Sequence, residues 1–167
     1  MVFLSYISIM SINLDQKGLR SIVNEYDLFF IDVWGVVHNG INLHKGAVDV
    51  LYNLQKLSKK YVLLTNAPRP NKTVINFLAK MGLPENFSKF VYTSGEASLK
   101  YLEQHFKSSK FFHLGPPRDF DLFTSFKENK SNDIDASNFI LCTGLFEDYN
   151  DNLEYYKNLL LTQTKKT

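Results

Sequence analysis

The chain has 167 residues, room for one ordinary domain or for one domain and part of a second. With 44% hydrophobic and 14% aromatic residues it has the composition of a folded, aromatic-rich globular protein and not of a disordered one. A net charge of +2, with scattered lysines and arginines only at Arg20, Arg69 and Arg118, leaves no basic footprint for nucleic acid.

The opening MVFLSYISIMSI is apolar but has no basic flank and no small-residue cleavage site. It also falls short of the roughly 20 apolar residues that span a bilayer, so no membrane partner is expected. Residues 1–14 read as a loosely attached leader or an upstream start. Leu14 to Tyr26 predicts a first helix. LFFIDV, Leu28 to Val33, is a near-continuous apolar run of strand length, of the kind buried on both faces. Between Gly46 and Lys60, Ala47, Val48, Leu51, Leu54 and Leu57 recur at three- and four-residue steps, which predicts a helix with one buried side.

Tyr61 to Thr65 is the second expected strand. Pro68 and Pro70 then precede a helix over about Asn71 to Met81, which Gly82 is placed to end. Phe90 to Ser94 is a third strand, and Thr93 with Glu96 has capping-box spacing for a helix reaching about Phe106. Beyond a boundary near Ser108, Lys110–Leu114 and Asn138–Gly144 are strand-like, separated by Gly-Pro-Pro and a polar stretch over Lys127–Ser137. Leu153 to Leu161 is helical in pattern. Alternating strands and helices predict an α/β fold, a Rossmann-like, doubly wound parallel sheet. It is divided into a leader (1–14), a partial core (15–108) and the start of a second unit (109–167).

Cys142 is the only cysteine, so no internal disulfide and no CxxC metal or redox pair exists. It reads as a small buried residue in a strand, and the chain as cytoplasmic.

In parallel α/β sheets ligands bind beyond the carboxyl ends of the strands. Three polar signatures fall at such ends: Asp32-Val33-Trp34-Gly35-Val36, Thr65-Asn66-Ala67-Pro68-Arg69-Pro70, and Thr93-Ser94-Gly95-Glu96. A carboxylate is costly to bury there without a partner or metal, and Gly35 permits a sharp turn. Asp before Gly is also ordinary turn chemistry, but strand-end Asp32 followed one helix later by strand-end Thr65-Asn66 resembles the first two motifs of the haloacid dehalogenase superfamily, which implies an Asp nucleophile followed by a Thr phosphate ligand.

The strings WGVVHNG, TNAPRP and TSGEA resemble the class IIA phosphatase-like branch of the haloacid dehalogenase superfamily, in the subgroup with Trp two residues after the first Asp. The resemblance runs from about Asp15 to Asp148. It implies a phosphohydrolase of phosphorylated small molecules, with an α/β cap beginning near Lys110. Asp32 would attack phosphorus, and the Thr65 hydroxyl and Asn66 N–H would hold phosphate oxygens. Mg²⁺ would be held by Asp32 and the main-chain carbonyl of Trp34. Arg69 reads either as an anion contact or as a solvated residue ahead of its helix.

Trp34 departs from the family, which usually has a second Asp there as proton donor, help worth roughly 10²- to 10⁴-fold. His38 is the nearest substitute acid by sequence; its other reading is a surface loop histidine. His44, His105 and His113 show no ligand spacing, Gly95 and Glu96 serve the helix start, and Asp148 and Asp151 read as a solvated helix start.

The family's third motif, a Lys, and its fourth, Gly-Asp followed by Asp, have no counterpart here; Lys157, Lys165 and Lys166 stand in the wrong context. A truncated or split product, weak or inactive alone and completed by a complementary C-terminal polypeptide, is one expectation. A non-catalytic remnant or binding fragment is the other. A Rossmann cofactor binder is disfavoured, because no GxGxxG turn follows the first strand.

Overall fold

The computed structural model describes residues 14–15, 17–146, 152–161 and 163. Most of the leader, with Asp148, Asp151, Lys165 and Lys166, lies outside the described residues.

Leu14 to Tyr26 does not form the expected helix. It holds two single-turn 3-10 segments, Leu19–Ser21 and Val23–Glu25. Gly18, at φ 64, precedes them in a left-handed conformation that a longer helix cannot pass through.

The first sheet then begins with β1 (Leu28–Asp32), followed by α1 (Lys45–Lys56) and β2 (Lys60–Thr65). Helix α1 stops earlier than its apolar spacing predicts because Ser58 turns left-handed at φ 55 and Lys59 donates back to the Leu54 carbonyl. Next come α2 (Asn71–Lys80), the short α3 (Glu85–Ser88) and β3 (Val91–Thr93). Gly82 ends α2 as expected. At φ +91 it lets Leu83 N–H reach the Leu78 carbonyl while its own N–H reaches Ala79, the paired bonds of a Schellman turn.

The three strands are parallel, in the order β1-β2-β3. Right-handed crossovers between consecutive neighbours place the connecting helices on one face of the sheet. Leu51 and Leu54 of α1 and Val74 and Leu78 of α2 join Leu63, Val91, Val33 and Val37 there in one core, against which Phe29 and Ile31 pack. The opposite face is open among the described residues: Phe30 is 67% exposed and Leu64 43%. Val62, Phe90 and Tyr92 extend this face as an apolar groove. Burial on both faces of β1, expected from its unbroken apolar run, is therefore not found; burial alternates along it.

Helix α4 (Ser94–His105) starts where the capping-box spacing of Thr93 and Glu96 places it, and Ser94 belongs to it and not to the strand. Thr93 caps it by accepting the Glu96 N–H at 2.9 Å. The return half of the capping box is replaced: Asn71 accepts the Thr93 N–H through its side chain, and Glu96 accepts the Asn71 N–H. The capping residues thereby tie α4 to α2.

A second parallel sheet has the order β5-β4-β6, from β4 (Phe111–Leu114), β5 (Lys130–Ser131) and β6 (Phe139–Cys142). The link from β4 to β5 is a long 3-10 stretch, Pro117–Asn129, kinked at Phe123 and Phe126. Its Leu122, Phe123 and Phe126 build a second core with Phe111, Phe139 and Leu102 of α4. Cys142 is exposed, contrary to expectation, because it ends β6 on the edge of the sheet. Helix α5 (Leu153–Leu161) forms where its pattern predicts. No helix among the described residues is long and apolar enough to cross a membrane.

His113 on β4 is buried, with Nε2 2.9 Å from the Thr143 hydroxyl. Burial lowers its pKa from 6.5, Lys130 lowers it further, and Asp119 opposes them. The unfolded chain thus takes up this proton more readily than the folded one. Stability from the neutral ring is complete above about 6.5 and is lost as pH falls toward the lowered folded value. Thermal unfolding followed across that range should show the drop, and His113→Gln should flatten it.

Candidate active site

The site grows from the loop that leaves β1. Asp32 ends the strand with its carboxylate exposed, and one oxygen accepts the Val33 N–H at 2.7 Å. The cost of burying this acid therefore does not arise. The chain then folds tightly, so that Val37 and His38 donate to the Val33 carbonyl and Gly35 donates to the His38 carbonyl. Gly35 makes the reversal at φ +77. These bonds use the groups of Val33, Gly35 and His38 and leave the Trp34 carbonyl outside the ladder.

Trp34 itself is 62% exposed, with its indole lying over Gly40. A Cβ on Gly40 would come within 2.7 Å of the outer end of this exposed ring, which can give way, so it is the φ of +94 that calls for glycine there. His38, expected to be either a surface histidine or a substitute acid, is 3% exposed. Its ring meets Trp34 and Phe77 edge-to-face. Burial lowers its pKa, with His44 adding to the effect, so the ring is neutral and not a ready proton donor.

The second strand end supplies Thr65. Strand register pairs Asp32 with Leu64, so Thr65 lies one residue further along the adjoining strand. Thr65 is buried, and its oxygen accepts the Ala67 N–H at 3.3 Å, leaving its own O–H to donate. Asn66 is exposed, and its carbonyl accepts the Ser94 hydroxyl. Arg69 is partly buried and lies 3.5 Å from buried Asp119, so it tethers the 117–129 stretch to the strand-end loop. Thr73, donating to Asp121 at 2.6 Å, adds a second tether.

Trp34, Thr65, Asn66 and Arg69 share the wall of one cleft of about 480 Å³, together with His38, Phe77 and Arg118. Asp32 is not in that wall; it stands on the same carboxyl edge of the sheet, facing solvent. A larger cleft, about 600 Å³, lies between the 19–25 turns and α1 and holds none of the strand-end signatures. Phe77 and Arg118 were not legible from their spacing, because tertiary approach alone brings α2 and the Gly-Pro-Pro-Arg turn here. For a cation, the second Asp32 oxygen and the Trp34 carbonyl are the available protein donors. Among the described residues no three His, Cys, Asp or Glu gather in one place. Two hard oxygens suit Mg²⁺, which is commonly held by one or two carboxylates plus water and substrate phosphate.

Parallel strands thus end in an exposed acid and a buried hydroxyl at one carboxyl edge of an α/β sheet. The family model for haloacid dehalogenase-like hydrolases matches residues 29–127, and the chain belongs to that family. A haloacid dehalogenase-like hydrolase from Brucella suis 1330 is 30% identical, with TM-score 0.74 over 86% of this chain and 52% of that one. A 4-nitrophenylphosphatase from Thermotoga maritima is 24% identical, with TM-score 0.61 over 86% and 54%. A possible sugar phosphatase from Cytophaga hutchinsonii is 19% identical, with TM-score 0.69 over 87% and 54%. The chain thus spans about half the length of these proteins. No curated protein sequence matches it.

Proposed function

We propose that this chain carries the nucleophile and phosphate-binding half of a phosphatase-type site for a phosphorylated small molecule. The observation that supports this most is the position of Asp32 and Thr65 at the carboxyl ends of adjoining parallel strands, beside a cleft whose wall has no carboxylate. An Asp32 oxygen would form a bond to phosphorus as the ester oxygen leaves, and water would then hydrolyse the aspartyl-phosphate. The Thr65 hydroxyl and the Asn66 N–H would donate to phosphate oxygens, and Arg69 would add positive charge while holding Asp119. Asp32 and the Trp34 carbonyl would hold Mg²⁺, which when bound offsets charge on the phosphoryl group. The unit from residue 109 reads as the start of the cap, and the single exposed cysteine suits a reducing cytoplasm.

Trp34 brings no transferable proton, and the Lys and Gly-Asp…Asp motifs implied by the family have no counterpart in these residues. Those functions would have to come from outside these residues, and these residues by themselves would be weak or inactive. The test is Mg²⁺-dependent release of phosphate from phenyl phosphate, with binding measured alongside. No turnover is expected from the chain alone. Robust turnover abolished by Asp32→Asn would overturn the half-site reading. Phosphate binding unweakened in Thr65→Val would overturn the phosphatase-type reading itself. The second reading, a non-catalytic binding remnant, is favoured by Asp32 standing outside the cleft wall. Phosphoryl labelling of Asp32, sought by mass spectrometry, separates the two.

A further inference from the structure

His38 offers a second hydrogen-bonding group to the same cleft. Its Nδ1 accepts the Gly40 N–H at 2.9 Å. A backbone N–H only donates, so Nδ1 is unprotonated and Nε2 carries the hydrogen. The ring cannot easily turn. Its centroid lies 5.2 Å from that of Trp34 and 5.4 Å from that of Phe77, both edge-to-face. Its own backbone is pinned at both ends, N–H to Val33 and C=O from Gly35.

His38 stands in the cleft wall with Thr65 and Asn66, and Nε2–H has no protein acceptor among the described residues. Nε2 is not among the wholly buried polar atoms left without a partner, so its N–H opens to the cleft, where a bound acceptor can take the place of water. The charged groups in that wall, Arg69 and Arg118, are cations, Arg69 being paired with Asp119 as well, and Thr65 has its O–H to give. A wall that holds the Thr65 hydroxyl, the His38 N–H and cations, and no carboxylate of its own, favours an oxyanion.

We propose that His38 is a substrate-binding residue whose Nε2–H donates to an oxygen of a phosphate ester held at Thr65. This rests on the phosphatase-type reading above. His38 then orients the ester and transfers no proton. A second proton would have to sit on Nδ1, facing the Gly40 N–H. The residue thus supplies a hydrogen bond of the kind an acid at position 34 would give the ester, and none of the proton transfer.

The two amide side chains separate binding from structure. Asparagine carries an oxygen where Nδ1 lies and keeps the Gly40 bond, but it ends before Nε2. Glutamine carries an N–H near Nε2 and gives up the Gly40 bond. Calorimetric titration of the full chain with phenyl phosphate should show His38→Asn binding about tenfold more weakly and His38→Gln within about threefold of wild type. The reverse order would mean a purely structural ring and would overturn the proposal. In wild type, imidazole ¹⁵N spectra should show a protonated Nε2 that shifts on adding phenyl phosphate. A protonated Nδ1, or an Nε2 unmoved at saturation, would overturn it too. Thr65→Val divides the two ideas. If it weakens binding and His38→Asn does not, only the His38 assignment falls. If Thr65→Val binds like wild type, or wild type does not bind, both fall.

Discussion

Gly95→Ala should destabilise the chain by about 3 kcal/mol, at the upper end of overpacking costs, and lower its melting temperature by roughly 10 °C. Glycine here is set by contact and not by conformation. A Cβ at this position would lie against the backbone N, C and O of Arg69, far inside van der Waals contact. Backbone cannot swing aside as a flexible side-chain end can. The same few residues are also tightly bonded: Gly95 N–H donates to the Ala67 carbonyl, and Thr93 donates its hydroxyl to the Arg69 carbonyl. Displacing Arg69 would therefore loosen the α4 cap and the Asp119 tether together. Thermal unfolding followed by circular dichroism measures the loss. A variant within about 1 kcal/mol of wild type would show that α4 can retreat without disturbing the strand-end loop.

Phe111→Ala should cost about 3–5 kcal/mol, the range for truncating a buried aromatic. The ring is wholly buried. It lies 5.2 Å from Phe123, 5.5 Å from Phe126 and 5.7 Å from Phe139 between centroids, so its removal leaves three aromatic neighbours facing a cavity. The 117–129 stretch has no regular helix of its own and depends on this packing, so it should detach first. Urea unfolding gives the size. Hydrogen exchange should show weakened protection in β4 and β6, with β1 and β2 retaining theirs. Equal weakening in both sheets would mean that they unfold as one unit.

The strands were legible because their apolar runs are short and sharply bounded, and that in turn placed Asp32 and Thr65 at strand ends. Gly82 and Thr93 were legible because helix-ending and helix-capping chemistry is local. Features that depend on remote neighbours were not. An apolar run cannot say that only one face of β1 will be covered, since that is decided by where helices cross. Phe123 and Phe126 stand three residues apart, as helix neighbours do, but the stretch follows a kinked 3-10 path whose course is set by packing on Phe111, a partner the local string does not name. His38 looks like a loop residue until Trp34 and Phe77 close around it. Gly95 looked like a helix-start residue, and nothing in its string announces the Arg69 backbone beside it. Arg69 is not the freely solvated residue of one of its two simple readings, because Asp119 is distant from it in sequence and next to it in space.

The chain has a single indole, and it sits on the loop after β1, largely in water and against an imidazole. Its emission is therefore an optical signal from that loop and the edge of the first core that its Val33 and Val37 enter, and silent about the second core. Melting seen by tryptophan light and melting seen by peptide ellipticity need not coincide, and any gap between them measures how independently the loop lets go.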